Sequence, residues 1–188
     1  MLNFIINTIA VPFLIVLVGI ICNCIVQVIC EFLSMFLPSS FIYLFLNYLT
    51  FPGTICHELA HGLTITILGG KVTEWNLFKP QGNSLGSIVF YTRGSYLMKC
   101  LQNSLGSIAP IPVNLCLIQL LYLKALDFKE TMGWRVFIIY LMISLFIHLD
   151  LSSADIKGIF QGLPAVLLLS AIFVYFSHFS IFNYLPIS

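Results

Sequence analysis

The sequence predicts an all-α polytopic membrane protein with about five transmembrane helices and a small β-hairpin or sheet at the membrane face after the second helix. Hydrophobic residues make up 60% of the 188 positions and charged residues only 8%, and the mean hydropathy is +1.04. A soluble domain carries about a quarter charged residues, so this chain has too few charges to cover a water-exposed surface. Its long uncharged runs also reach the roughly 20 residues that a bilayer-spanning helix needs.

The spans can be placed in order along one predicted domain, 1–188. The five predicted spans are 4–36, 41–68, 104–123, 134–149 and 153–179. Gly69 and Gly70 form a helix-stop signal after the second span, and Pro52 is expected to kink that span. Pro110 and Pro112 are expected to kink the third span or delay its entry.

Residues 71–94 differ in character from the spans. The stretch 71–78 mixes β-forming and polar residues, 79–83 has the composition of a turn, and 87–93 is typical of a second strand. Backbone of this kind must find hydrogen bonds outside the hydrocarbon or within protein. We therefore expect a β-hairpin or small sheet at the membrane face.

The distribution of positive charge predicts the orientation. Four Lys or Arg residues lie in 70–107 and three in 124–135, and cytoplasmic loops carry the excess. This places 70–107 in the cytoplasm, with the N-terminus inside, the C-terminus outside and the end of the second span at the cytoplasmic side of the cell membrane. The apolar N-terminus has no preceding Lys or Arg, so it is interpreted as a retained helix rather than a signal peptide.

Charge and cysteine content exclude other classes of protein. The net charge is +1, and no basic cluster of the kind that binds a phosphate backbone is present, so we expect no nucleic-acid partner. Most of the six cysteines lie in apolar runs, where packing is a better explanation than disulfides. Cys56 adjoins the motif described next and could line the site without being a ligand.

The segment His57-Glu58-Leu59-Ala60-His61 predicts a zinc site. Residues four apart lie on one face of a helix, so His57 and His61 can bind one ion. Zinc lowers the pKa of a bound water towards about 7, and the adjacent Glu58 can accept its proton. Ionisable residues inside an apolar span are costly and by default indicate function; a polar cluster that packs helices is the structural alternative.

A catalytic zinc site needs a third protein ligand, and the candidates are His148, Asp150 and Asp155. We favour Asp155, because Ser152 and Ser153 resemble a helix N-cap that would fix it in the first turn. A first-turn aspartate could instead serve only the helix dipole. Asp150 is the second choice as ligand, and His148 is expected to donate a hydrogen bond to a ligand or substrate.

These motifs resemble those of the site-2 protease-like integral membrane zinc metallopeptidases. The segments 56–62 (Cys-His-Glu-Leu-Ala-His-Gly) and 68–72 (Leu-Gly-Gly-Lys-Val) look like the first core helix of that family and the strand after it. The family has an aspartate ligand on a later helix, often in Leu-Asp-Gly, whereas here Asp150 is followed by Leu151. The segment 151–155 (Leu-Ser-Ser-Ala-Asp) instead looks like a smaller branch that places the ligand after a Ser-containing turn.

The resemblance implies a zinc-dependent endopeptidase that cleaves peptide bonds in or near transmembrane segments of membrane-protein or peptide substrates. An exposed strand edge in 71–94 could pair with an unwound substrate, or the segment could be a membrane-surface cap. The stretch 104–110 and Asn114 could approach the cleft that binds the substrate, or they could serve only to pack the helices together. One alternative is a membrane metal-binding or transport protein without hydrolytic activity, and another is a catalytically inactive scaffold that retains the fold. Glu58 favours the hydrolase, because metal transport does not need a general base beside the first ligand.

Overall fold

A computed structural model of the chain describes residues 1–44, 48–79, 85–126, 131–177 and 179–181. This part of the chain is mostly helical and contains a two-stranded antiparallel sheet. In chain order its elements are α1 (Leu2–Ser34), α2 (Ser39–Leu44), α3 (Phe51–Ile67), β1 (Lys71–Asn76), β2 (Ser87–Tyr91), α4 (Tyr96–Ile108), α5 (Pro110–Ala125), α6 (Met132–Ile147), α7 (Ser153–Gln161) and α8 (Leu163–Ser177). The predicted helical fold with a small β-hairpin is confirmed. The predicted turn at 79–83 lies outside the described residues except for Lys79.

Within the described chain, α1 is the one single helix that is long and apolar enough to cross a membrane. Its 33 residues span about 50 Å, well beyond a hydrocarbon thickness of about 30 Å. The pairs α4–α5 and α7–α8 pass the same test only if each bent pair counts as one span, which gives up to three. The five-span topology stays a prediction.

The described part of the second predicted span contains two helices. A helix over 41–68 kinked at Pro52 was expected; α2 is described up to Leu44 and α3 from Phe51, and residues 45–47 lie outside the described residues. Pro52 lies in the first turn of α3, where its missing N–H is no loss and its fixed φ suits a helix start. The predicted stop is confirmed: Gly69 has φ +80°, a conformation that glycine adopts readily.

Proline and glycine also break two later spans. The helices α4 and α5 meet at an angle of 42°, with Pro110 as the first residue of α5, so the predicted kink is confirmed. The expected continuous helix over 153–179 is wrong, because α7 and α8 meet at 74°. Gly162 caps α7, and Pro164 stands in the first turn of α8, where it cannot continue the preceding helix.

The β-hairpin packs against α3. A Cβ added at Gly62 would fall on the indole ring of Trp75, so the β1 tryptophan lies directly on the α3 backbone. A Cβ at Gly86, just before β2, would lie 2.7 Å from Cγ of Glu58. Two glycines thus allow the hairpin to approach the helix that carries the His-Glu-x-x-His motif.

Small residues bring α7 close to α4. A Cβ at Gly158 would fall on Oγ of Ser107, and a Cβ at Gly162 would fall on Cβ of Ser104. Small side chains permit this close approach of helix backbones. The contact sets the position of the first turn of α7 relative to α4, and through α4 relative to α3.

Candidate metal centre

Two imidazole rings face each other on α3. His57 Nε2 lies 3.0 Å from His61 Nε2, and the two ring planes are inclined at 77°. The four-residue spacing produces this arrangement, because residues i and i+4 lie on the same face of a helix. The structure therefore brings the two predicted histidines together.

The other nitrogen of each ring is bonded to a backbone carbonyl. His57 Nδ1 donates to the carbonyl of His148 at 2.9 Å, and His61 Nδ1 donates to the carbonyl of Gly106 at 2.7 Å. A carbonyl can only accept, so each Nδ1 carries a proton, and in its neutral form each ring then directs an Nε2 lone pair inward. Two lone pairs at 3.0 Å repel each other, and a cation between them would turn the repulsion into binding.

The Gly106 carbonyl is available because of a proline. In an α-helix the carbonyl of residue 106 would accept from the N–H of residue 110. Pro110 has no N–H, so the Gly106 oxygen has no helical partner and accepts from His61 instead. The sequence does carry this signal, a proline four residues after the acceptor, although it was not recognised as part of the site.

The carbonyl of His148 is available because α6 has ended. His148 is the C-cap of α6, and the N–H four residues later, that of Ser152, donates to Asp155 Oδ2 at 2.9 Å. The His148 oxygen is therefore free of a helical partner and accepts from His57. No pattern in the sequence indicates that the carbonyl of His148, rather than its ring, contacts the predicted metal ligand His57.

Asp155 completes the cluster from α7. Its Oδ1 lies 3.3 Å from His61 Nε2, while its Oδ2 accepts from the Ser152 hydroxyl at 2.6 Å. Ser152 Oγ in turn accepts from the Asp155 N–H, and together with the bond from the Ser152 N–H to Oδ2 this makes the reciprocal capping box. The predicted cap at Ser152 is confirmed. One carboxylate oxygen thus serves the helix start while the other is directed at the histidines.

His57, His61 and Asp155 form a cluster that could hold a metal ion. Their ligand atoms all lie within 4.8 Å of one another in the described chain. Donors at about 2.0–2.1 Å from a tetrahedral ion would be about 3.3 Å apart. Two of the three separations, 3.0 Å and 3.3 Å, are close to that spacing, and the third, between His57 and Asp155, is within 4.8 Å.

Glu58 and the cluster line one cleft. Its volume is about 600 Å³, within the range of ligand-binding clefts. Residues of α3, α4 and α7 and the chain from Leu85 to Ile88 form its walls. Glu58 follows His57 in α3, is partly buried and lines the same cleft as the three residues of the cluster.

The two other candidate ligands lie outside the donor cluster. The His148 ring contacts the hydroxyls of Thr50 and Thr54, each at 3.1 Å, and the contact with the predicted ligand His57 is made by the His148 carbonyl. His148 also lines the cleft, and its expected hydrogen bond to substrate stays a prediction. Asp150 lines the cleft. Burial raises the pKa of its carboxyl above the ordinary value.

Other residues singled out in the sequence divide between the cleft and the core. Gly106 and Ser107 line the cleft. Asn114 is fully buried and donates to the His148 carbonyl at 3.1 Å instead of lining the cleft. Cys56 is not part of the donor cluster, and all six cysteines are free.

Compared with protein-family models, with curated proteins and with solved structures, the chain matches none of them. The functional argument therefore depends on the geometry of the centre: two Nε2 lone pairs, one carboxylate oxygen and an adjacent glutamate in a single cleft.

The third ligand can be identified by metal retention. Asp155→Ala removes the oxygen nearest the histidines, so we expect it to weaken metal binding by more than the roughly 10–100-fold that outer-shell partners contribute. Asp150→Ala, the matched control from the same cleft, should retain the metal. Elemental analysis of both variants after gel filtration in zinc-containing buffer measures the difference. Loss of metal from Asp150→Ala alone would reverse the assignment.

The role of Pro110 can be tested by restoring an amide. In Pro110→Ala the new N–H competes with His61 for the Gly106 carbonyl, so we expect metal affinity to fall by about 10-fold while the unfolding temperature holds or rises. Pro112→Ala is the control, because its new N–H faces the carbonyl of Ile108, which holds no ligand. Metal titration and thermal unfolding of both variants decide the matter; equal affinities would contradict the proposed role of the proline.

Proposed function

We propose that this chain is a zinc-dependent, membrane-embedded endopeptidase of the site-2 protease-like type. The observation that supports it best is the pair of inward Nε2 lone pairs, 3.0 Å apart, with an Asp155 oxygen 3.3 Å from one of them. Glu58 on the same helix and in the same cleft adds the acid–base group that hydrolysis requires and simple metal storage does not.

The donor set favours zinc among the common metal ions. Two imidazole nitrogens and one carboxylate oxygen are typical of catalytic zinc sites, which leave a fourth position for water or substrate. Calcium and magnesium prefer all-oxygen ligands. The hydrogen bonds from both Nδ1 atoms to carbonyls are the outer contacts that zinc-binding histidines usually make.

The residues divide the chemistry between them. His57, His61 and Asp155 hold the ion, which when bound would supply a Lewis acid that activates water and polarises the peptide carbonyl. Glu58 accepts a proton from water and delivers it to the leaving amine. The walls formed by α4, α7 and the hairpin orient the peptide.

We infer the class of substrate from the apolar helices that surround the centre. α1 is long enough to span the bilayer, and two bent helix pairs contribute further apolar length. We propose a multi-pass protein of the cell membrane with five spans and the active site towards the cytoplasmic side, acting on peptide bonds in or near transmembrane segments. The alternative, a membrane metal-binding or transport protein, uses the same ligands but gives Glu58 no role.

The hairpin supports a way of presenting the substrate. Residues of β2 line the cleft, and β2 pairs with β1 along one edge only in the described two-stranded sheet. An unwound peptide added along the other edge of β2 would gain backbone hydrogen bonds. It would then run beside the metal ligands in the extended form that hydrolysis needs.

The test of hydrolysis is Glu58→Gln, which removes the base but keeps nearly the same volume. We expect cleavage of a set of single-span membrane peptides, reconstituted in the same detergent micelles, to fall about 10²–10⁴-fold, with zinc content unchanged. Glu31→Gln, an exposed position on α1 that does not line the cleft, is the matched control and should retain full activity.

Two results would count against the proposal. Unchanged turnover in Glu58→Gln would remove Glu58 as the base. Stoichiometric zinc in the parent chain with no cleavage of any peptide in the set would favour the metal-binding or transport protein instead.

A further inference from the structure

Asn114, on α5, makes a contact that the proposed chemistry does not explain. The side chain is fully buried, and its Nδ2 donates to the carbonyl of His148 at 3.1 Å. That carbonyl also accepts from Nδ1 of the metal ligand His57 at 2.9 Å. A carbonyl oxygen has two lone pairs, so the two donors occupy its accepting capacity from two directions.

Hydrogen bonds fix both the side-chain ring and the backbone carbonyl of His148. The His148 ring is bonded to Thr50 and Thr54 at the start of α3. Asn114 holds the carbonyl oxygen from α5. The oxygen therefore has a defined direction, even though the helix that would normally align it has ended at Ile147.

The amide oxygen of Asn114 indicates that stability alone does not explain an asparagine at this position. Among the described residues, Asn114 Oδ1 is buried without a hydrogen-bond partner. Burial of an unpaired acceptor is destabilising. Rotating the amide by half a turn does not help, because Oδ1 would then face the carbonyl oxygen. An apolar side chain of similar size would avoid the loss but could not hold the carbonyl.

We propose that Asn114 is a positioning residue for the metal centre, acting on His57 through the backbone carbonyl of His148. This inference rests on the proposed zinc site. Asn114 fixes the carbonyl, the carbonyl fixes the ring orientation and tautomer of His57, and the Nε2 lone pair stays directed at the position shared with His61 and Asp155. Asn114 itself touches neither metal nor substrate.

The test compares two buried asparagines in the full-length protein in detergent micelles. Asn114→Leu removes both the donor and the unpaired acceptor. The control is Asn7→Leu: Asn7 is also buried but bonds to the backbone of Phe179 and Ile181. Zinc affinity is measured by competition with a chelator, metal-site geometry by the visible absorption of the cobalt(II)-loaded protein, and stability by thermal unfolding of the metal-free protein.

We expect opposite patterns from the two variants. Asn114→Leu should lower zinc affinity about 10-fold, the lower end of the effect of outer-shell partners, and shift the cobalt spectrum, with an unfolding temperature equal to or above that of the parent. Asn7→Leu should lower the unfolding temperature and leave zinc affinity and the cobalt spectrum unchanged. If either leucine variant does not fold, Asn114→Ala and Asn7→Ala, which only remove atoms, give the same comparison of affinity and spectrum.

Unchanged zinc affinity and cobalt spectrum in the Asn114 variant would overturn the inference and leave the zinc site intact. A parent protein that binds neither ion would overturn the proposed function, and this inference with it. The two failures are therefore distinguishable in one experiment.

Discussion

The candidate centre depends on a hydrogen bond from each imidazole to a backbone carbonyl. These two bonds decide which nitrogen carries the proton, and they turn both Nε2 lone pairs to the same point. Without them a histidine pair at helical spacing would be free to rotate apart or to adopt the other tautomer. The carbonyls come from α4 and from the end of α6, so helices distant in sequence must meet around α3 before His57 and His61 are oriented.

Both carbonyls are available because a helix is interrupted. A continuous helix uses every interior carbonyl in its own hydrogen bonds. Pro110 releases the Gly106 oxygen, and the end of α6 releases the His148 oxygen. The start of α7 adds the third group, because its capping box uses one oxygen of Asp155 and leaves the other for the cluster. The helix breaks that make several helices too short to span a membrane alone thus also supply the carbonyls and the carboxylate oxygen of the centre.

Features set by neighbouring residues could be predicted from the sequence. The four-residue spacing of His57 and His61, the cap at Ser152, the glycine stop after α3 and the hairpin all follow from local rules. Chain breaks were predicted less well. Pro52 lies in the first turn of α3, a position that the sequence could not distinguish from a kink, because a proline between two apolar runs is compatible with both.

Features set by tertiary contacts could not be predicted. The hydrogen bonds of the His148 ring to the threonines at the start of α3 depend on the packing of α6 against α3, which no local pattern around His148 encodes. Asn114 was open to the cleft or to packing, and its actual partner is a backbone atom, which no residue pattern encodes. The bend at Gly162 reflects the close approach of α7 to α4, a contact between segments about 55 residues apart.

X-ray absorption at the zinc edge of the purified, zinc-loaded full chain tests the centre most directly. Coordination by His57, His61 and Asp155 predicts a nitrogen and oxygen shell at about 2.0–2.2 Å, with the outer-shell scattering of two imidazoles and no sulfur. A sulfur shell at about 2.3 Å, as Cys56 or another free thiol would give, or a spectrum without imidazole scattering, would contradict the structure of the site described above.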